Sequence, residues 1–559
     1  MAGFEDLKAA AGVDFDFSPG AQIPLSGAGG GQTQISSALA ATAYRDGDVR
    51  SILGINDGAK VSDARISLLE PNLGEAFTRA IETRMLAPDR APLVQSFGAE
   101  PQTVVEHTLA AKRIRRQRDR RLTAIMAVLG ILFLPGVLVW LGLFQLRRTL
   151  AGAQDKRAGS LGIVALAAVF VLIVLFVYSL EIGGPLQLYV WALLPAPIVG
   201  WFLAQRVSER AARNLRAHWS DLLGGGGSGA RVPEAVPQNP NDSEAERLRK
   251  GLAKISAEQS SNMVHYAGPK GILGMGPRWG RWSLAEDLFP ADPQGDMDGF
   301  RAWDVARAMY DDLRMVNRGP LHTGGFRTAP EMTHWVVRHV GEGAGAISRP
   351  DGPHAEGYSM TPIEVQRICN EEHHGANDRH YLGARWVMHD GNLVINYLTR
   401  VSVLHRVLRV EFSAYALGPV NGFFLQKPAA KKAKSRHPFK PWKKVERELP
   451  LVDVKEVVRL AARAPLTWFP AELDKWGGKL SLPEPFGLRH VWAEKPWRHR
   501  FMTDDALETT TPVVREAMRS LLRVLRENRV NVGPFEAKVK GISGAVENAE
   551  PKRPDEINI

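Results

Sequence analysis

The chain has 559 residues, a formal charge of +11 and a pI near 9.6; 45% of residues are hydrophobic and 23% are charged. That balance excludes a wholly disordered chain, and the length suits roughly three or four units. The single cysteine, Cys369, excludes an intrachain disulfide framework, so nothing demands an oxidising compartment.

The opening residues, Met1–Lys8, lack a basic stretch followed by an apolar run and do not read as a signal peptide. Residues 1–105 form an N-terminal soluble segment, expected to be cytoplasmic, with a flexible Gly/Ser/Ala run at Gly20–Gly31. Ala64–Leu86 reads as one or two helices split near Pro71.

Residues 106–220 read as a helical membrane region. It opens with a basic helix over 106–121, expected at the membrane surface or as an orienting signal. Residues 161–180 (LGIVALAAVFVLIVLFVYSL) contain no charge and match a span of about 20 residues. Residues 185–204 form a second span, with Tyr189, Trp191 and Trp201 suited to the interfaces and prolines that imply a kink. Residues 122–146 are divided by Pro135-Gly136, so one tilted span competes with a re-entrant hairpin. Lys/Arg clusters lie before residue 122, between 147 and 157, and after 204, whereas the Glu181–Gly184 loop has none. The positive-inside rule then demands an even number of crossings and favours the re-entrant form with both termini in the cytoplasm.

Gly224–Asp242 reads as a flexible linker within 221–245, freeing the downstream domain from the membrane. Residues 246–425 read as an α+β soluble domain. A strand is expected from Asn262, an amphipathic helix over 299–315, and another strand over Glu331–Val340. Asp390-Gly391 between alternating apolar runs predicts a hairpin from 379–389 into 392–400, with 406–417 adding a third strand of an antiparallel β-meander. The glycines at 268, 271, 274 and 276 match no nucleotide-binding motif. Residues 426–447 read as a basic loop, 448–547 as the helical C-terminal part (helices near 452–463 and 510–528), and 548–559 as a disordered tail.

The candidate chemistry is sparse. Cys369–His380 gathers Glu371, Glu372, His373, His374 and His380, ligand types suited to a metal but at a spacing that fits no zinc pattern. No serine sits in a nucleophile elbow, no catalytic residue is identified, and no cofactor is expected. Lys431, Lys432, Lys434, Arg436, Lys440, Lys443 and Lys444 in the basic loop suit lipid or phosphate contact, with anionic headgroups favoured over nucleic acid and Trp442 and Phe439 helping insertion.

Arg379–Arg385, Asp390–Arg400 and Leu408–Pro419, together with Asn262-Met-Val-His-Tyr-Ala-Gly268, resemble a group of uncharacterised bacterial integral membrane proteins over residues 260–420. Where that group often has Pro-Phe-Val-Gly-x-Gly, this chain has Gly271-Ile-Leu-Gly-Met-Gly276. The resemblance implies apolar segments before this domain and carries no activity. The expected protein is therefore an integral membrane protein whose cytoplasmic α+β domain binds a partner or ligand at the bilayer. A membrane-bound, possibly metal-assisted hydrolase is the alternative, and a transporter or channel component ranks third because the spans lack buried charges.

Overall fold

The computed structural model describes residues 33–151, parts of 168–179, 184–224, 241–339 and 359–547, apart from short stretches within these ranges. The Gly20–Gly31 run, the linker glycines, most of 161–180 and the C-terminal tail lie outside the described residues.

The N-terminal part is helical: α1 (Gln34–Thr42), α2 (Leu73–Leu86) and α3 (Pro101–Ile125), with a two-residue strand β1 (Lys60–Val61). Side chains set these starts. Thr33 accepts from Ser36 N–H and Asn72 from Glu75 N–H, each satisfying a donor that a helix's first turn leaves open. Next come α4 (Leu134–Ala151), α5 (Pro185–Ala192), α6 (Pro195–Gly224) and α7 (Ser243–Gln259). Pro195 begins α6 because its ring fits a first turn but cannot continue α5.

The C-terminal part carries a mixed sheet of β2 (Met263–Tyr266), β3 (Arg278–Asp287), β4 (Glu331–His339), β5 (Asp378–Met388), β6 (Leu393–Leu404) and β7 (Val407–Leu417). The strands lie in the order β2-β4-β5-β6-β7-β3. The expected meander is β5-β6-β7, antiparallel throughout. Two features go beyond it: β2 pairs with β4 in parallel, and β3 closes the far edge against β7. Ion pairs bracket the β4–β5 register, Glu331 with Arg385 and Arg338 with Asp378 (Nε–Oδ1 2.7 Å).

Helices α8 (Ala302–Leu313) and α9 (Pro362–Asn370) cover one face of this sheet. α8 buries Trp303, Val305, Ala306, Met309 and Leu313, as its periodicity predicts. Strands β8 (Lys432–His437) and β9 (Lys440–Glu448) follow, then α10 (Val454–Arg463), α11 (Pro470–Gly477), β10 (Leu480–Ser481), α12 (Arg500–Glu508), α13 (Thr510–Glu527) and α14 (Gly533–Glu547). Strand β6 shows why the sheet is buried on both faces. Leu393, Ile395 and Tyr397 enter the core beneath α8 and α13, while Val394 and Leu398 enter a second core with Phe97, Met275 and Trp335. Both cores take alternate residues of one strand, so Leu393–Leu398 is nearly all apolar instead of alternating apolar with polar.

One expectation is corrected. Residues 426–447 are not a loop: β8 and β9 pair as an antiparallel hairpin, the alternation of Lys432-Ala-Lys-Ser-Arg436 suiting an extended chain. The downstream domain also packs against the N-terminal helices. Ile35, Phe77 and Val105 share one core with Leu215, Trp219, Leu252, Phe424, Phe486 and Trp492. The Asp390 carboxylate accepts the first N–H of α1 (Gln34 N, 3.0 Å), and Asn392 donates to the Gln34 side chain. Gly98 and Gly391, both in the left-handed region, let this turn and the 94–98 segment touch backbone to backbone, where a Cβ on either would collide.

Candidate functional site

No single helix in the described chain is long and apolar enough to cross a membrane. Two bent pairs meet that test by length and composition together: 101–131 with 134–143, bent by 88°, and 186–192 with 195–224, bent by 55°. The first break follows a π-helical turn, Met126–Ile131, and falls beside Pro135. The second falls at Leu193-Leu194, before Pro195.

The two breaks meet and satisfy each other. Tyr189 Oη donates to the carbonyl of Leu132 (2.8 Å), and Trp140 Nε1 donates to the carbonyl of Leu194 (3.0 Å). Phe133 stacks on Tyr189 at 5.1 Å between centroids. Gly136 lies so close to the Leu193 carbonyl that any side chain would collide with it, and Gly200 packs on Leu129. Carbonyls that bent helices release are thus met by indole and phenol donors from the opposite segment, which matters wherever no water reaches them.

Around this junction the apolar side chains point outward. Ile131, Leu138, Leu186 and Leu188 are each more than half exposed. Large exposed apolar side chains gathered in one place are the usual mark of a contact surface.

The basic helix α3 does not simply lie along a surface. Arg113, Arg116, Arg120 and Arg121 are exposed, but Arg115 and Arg118 turn inward. Arg115 donates to Thr78 and to the Ala43 carbonyl, and Arg118 pairs with Asp119 (2.7 Å). Beside them Glu75 of α2 pairs with Arg463 of α10, both buried. Burial would raise the Glu75 carboxyl, but Arg463, Arg118, Arg115 and Arg459 outweigh it and hold its pKa down at about 2.

The expected metal residues do not assemble into a visible site. His373 and His374 lie outside the described residues. His380 is buried on β5, where its Nε2 faces His334 Nδ1 on β4 at 3.0 Å beneath the Trp303 ring. Burial lowers the pKa of both, that of His334 to about 4, so they are neutral core residues at pH 7. Cys369 is buried within α9. Among the described residues no group of three His, Cys, Asp or Glu side chains could hold a metal ion.

Lys432, Lys434, Arg436, Lys440, Lys443 and Lys444 belong to the β8–β9 hairpin; Lys431 lies outside the described residues, as do the six side chains. The ends of the hairpin are fixed to α6: Trp219 Nε1 donates to the Gln426 carbonyl (3.1 Å), Arg216 to the Ala429 carbonyl (3.1 Å), and Glu209 accepts from the Leu451 and Val452 N–H groups.

Sequence reasoning missed the inward arginines and the role of Trp140. Arg115, Arg118, Asp119 and Leu122 lie three or four residues apart along α3, the spacing of one helix face, and that was the available signal for a buried stripe.

Residues 281–551 match an AbeC-like domain. The AbeC-like region begins inside β3 and runs through α14, so it contains the meander, the histidine pair, the basic hairpin and the helices that cover the sheet. The resemblance read over residues 260–420 overlaps its first half and also takes in β2, outside the match. No curated protein and no solved structure matches the chain.

Proposed function

We propose that this chain is an integral membrane protein whose α+β body is held at the bilayer by residues 122–204 and acts by binding a partner or ligand there. The observation that carries this is the junction of the two broken helices, with carbonyls satisfied internally and apolar side chains turned outward. It suits a re-entrant 122–146 segment, followed by spans over 161–180 and 185–204.

The shared core supports an even number of crossings. Ile35, Phe77 and Val105 share a core with Leu215, Trp219 and Trp492, which suits a chain that returns to the side it left. Exposed basic residues on α3 and α6 then favour the cytoplasmic side for both flanks. The basic hairpin is rooted on α6 between Glu209 and Trp219, and Glu209 lies only six residues, or about 9 Å of helix, beyond the apolar Leu203. That root suits contact with anionic headgroups.

Single cysteines placed at Ala153, Gly183 and Ala230 in a Cys369→Ser background test the topology. An impermeant maleimide added to intact cells should label position 183 alone. Labelling at 153 and 230 but not at 183 would demand an odd number of crossings and end this proposal, as would release of the full chain from membranes by alkaline carbonate.

A further inference from the structure

Helix α10 lies where α3 and α6 turn apolar. Its Val457 and Leu460, with Ala464 just beyond its end, share a small core with Leu122 of α3 and Ala204 of α6. Leu122 opens the apolar stretch of α3, and Ala204 closes that of α6. Another side of α10 faces the N-terminal part: Arg459 donates to the Glu70 carbonyl, and Arg463 donates to the Leu69 carbonyl and pairs with Glu75. Two further apolar residues take neither side. At about 100° per residue, Val454 and Val458 lie about 140° around the helix from Arg459 and Arg463. Both are exposed, Val454 by 56% and Val458 by 43%. The turn that continues α10 ends in Trp468, followed by Phe469, and these are 60% and 63% exposed. Single apolar residues on a surface need no explanation, but these four belong to one short segment.

Trp468 fixes the level of this segment. The Arg120 guanidinium lies over its ring at 5.9 Å, and Arg120 precedes Leu122 by two residues, about 3 Å along the helix axis. The indole therefore stands level with the start of the apolar part of α3. The exposed segment is also continuous with the apolar junction, because α10 packs on the same two helices that carry exposed Val128, Phe202 and Leu203. Cations mark the boundary: Arg121 beside Leu122, Arg206 two residues beyond Ala204, and Lys455 on α10 are all exposed. Aromatic rings and cations at the end of an apolar stretch are the composition of a membrane interface, where the rings sit among the headgroups and the cations meet phosphates.

We propose that Val454, Val458, Trp468 and Phe469 enter the headgroup layer of an anionic bilayer, so that α10 and the turn after it form a collar on which the body rests. The inference rests on the membrane reading above and adds to it a shallow contact made from within the AbeC-like region. It assigns α10 two jobs by face: Arg459 and Arg463 tie it to the N-terminal part, and Val454 and Val458 turn toward lipid.

Spin labelling of the full chain in liposomes of phosphatidylcholine and phosphatidylglycerol tests this. In a Cys369→Ser background, single cysteines replace Val458, Phe469, Leu138 of the apolar junction and Asp311 on the exposed side of α8. Power saturation then compares collisions with oxygen, which concentrates in lipid, and with a water-soluble nickel chelate. The expected oxygen-to-nickel ratio is severalfold higher at 458 and 469 than at 311. Lipid exposure at 138 with a water-like ratio at 458 or 469 overturns this proposal and leaves the membrane reading standing. A water-like ratio at 138, 458 and 469 alike ends the membrane reading and this inference with it. Few collisions with either reagent at 458 and 469 mean that protein covers the face, which also overturns the proposal. Val454→Cys, on the same exposed face, takes the place of a variant that melts below the native chain.

Discussion

Glu75→Gln is the sharpest test of how the basic helix is held. Glu75 sits where α2, α3 and α10 meet, paired with Arg463 and close to Arg115 and Arg118. Its carboxyl is held at about 2 against an ordinary value of 4.5, which corresponds to about 3 kcal/mol at 1.36 kcal/mol per tenfold change. Removing the charge also leaves buried guanidiniums without their counter-ion, and breaking such a pair costs about 3–5 kcal/mol. The sign follows from the depressed value. The unfolded chain binds the proton more readily, so the stabilisation is fully present above pH 4.5 and is lost as the pH falls toward 2. If some 430 residues melt together at about 2.1 cal/mol/K each, the loss lowers the melting temperature by roughly 3–5 °C at pH 7. Differential scanning calorimetry of the detergent-solubilised chain at pH 7 and pH 3 measures both effects, and the gap between native and variant should narrow at the lower pH. A variant that melts with the native protein at pH 7 would refute the claim that this carboxylate holds α3 inside the body.

Other consequences are as direct. Tyr397→Phe removes a buried hydroxyl that meets the Ala506 carbonyl and the Thr509 and Thr510 hydroxyls; chemical denaturation should show a loss of about 1–2 kcal/mol, and no loss would mean those groups find other partners. The His334–His380 pair is buried neutral, with His334 lowered to about 4, so its contribution is present above pH 6.5 and lost as the pH falls toward 4; His334→Phe should flatten the melting profile across that window, and an unchanged slope would discount the pair. Gly98→Val should destabilise by about 2–4 kcal/mol, because it combines a left-handed backbone with a collision against Val394 and the Gly391 carbonyl; limited proteolysis should then cut the 94–98 segment faster, and native-like resistance would count against the contact.

The parts of the fold that local rules decide were legible. The meander followed from Asp390-Gly391 between apolar runs, and α8 from the spacing of Trp303, Val305, Ala306, Met309 and Leu313, because hairpins and amphipathic helices are encoded within about 20 residues. Pairing between distant segments was not legible. Nothing in Met263–Tyr266 says that it will lie parallel to β4, and nothing in Arg278–Asp287 says that it will close the sheet beyond β7. The linker glycines read as a separator, yet Trp219 before them and Leu252 after them enter the same core as Phe77, a contact that only tertiary packing could reveal. The placement of His380 was illegible for a related reason. His380 looked like part of a polar cluster, but strand alternation turns it inward to His334, which is 46 positions away.

The buried arginines change what positive charge means in this chain. On sequence alone every Lys and Arg near residues 112–121 counts equally toward orientation. In the structure Arg115 and Arg118 are buried among Thr78, the Ala43 carbonyl and Asp119, so they orient nothing, and the exposed cations at 113, 116, 120 and 121 carry whatever orienting effect there is. A buried, paired arginine is also a fixed point: α3 cannot slide along its axis without breaking Arg115 from α2 and unseating the Glu75–Arg463 pair next to it. The apolar segment that begins at Leu122 is therefore a rigid continuation of the body through α3, and the same holds for α6, whose Trp219 and Leu222 are in the shared core while Phe202 and Leu203 are exposed. Two stiff helices leaving one packed core, each bent within its apolar stretch, fix the distance between the body and the apolar junction in a way that the glycine linker alone would not. Substituting Trp140 by Phe removes a donor from the Leu194 carbonyl without touching that core. It should lower the melting temperature in detergent while leaving α3 and α6 packed, whereas Glu75→Gln should loosen α3 first; hydrogen exchange resolved by peptide separates the two, and identical exchange patterns would mean that the junction and the body do not act as distinct units.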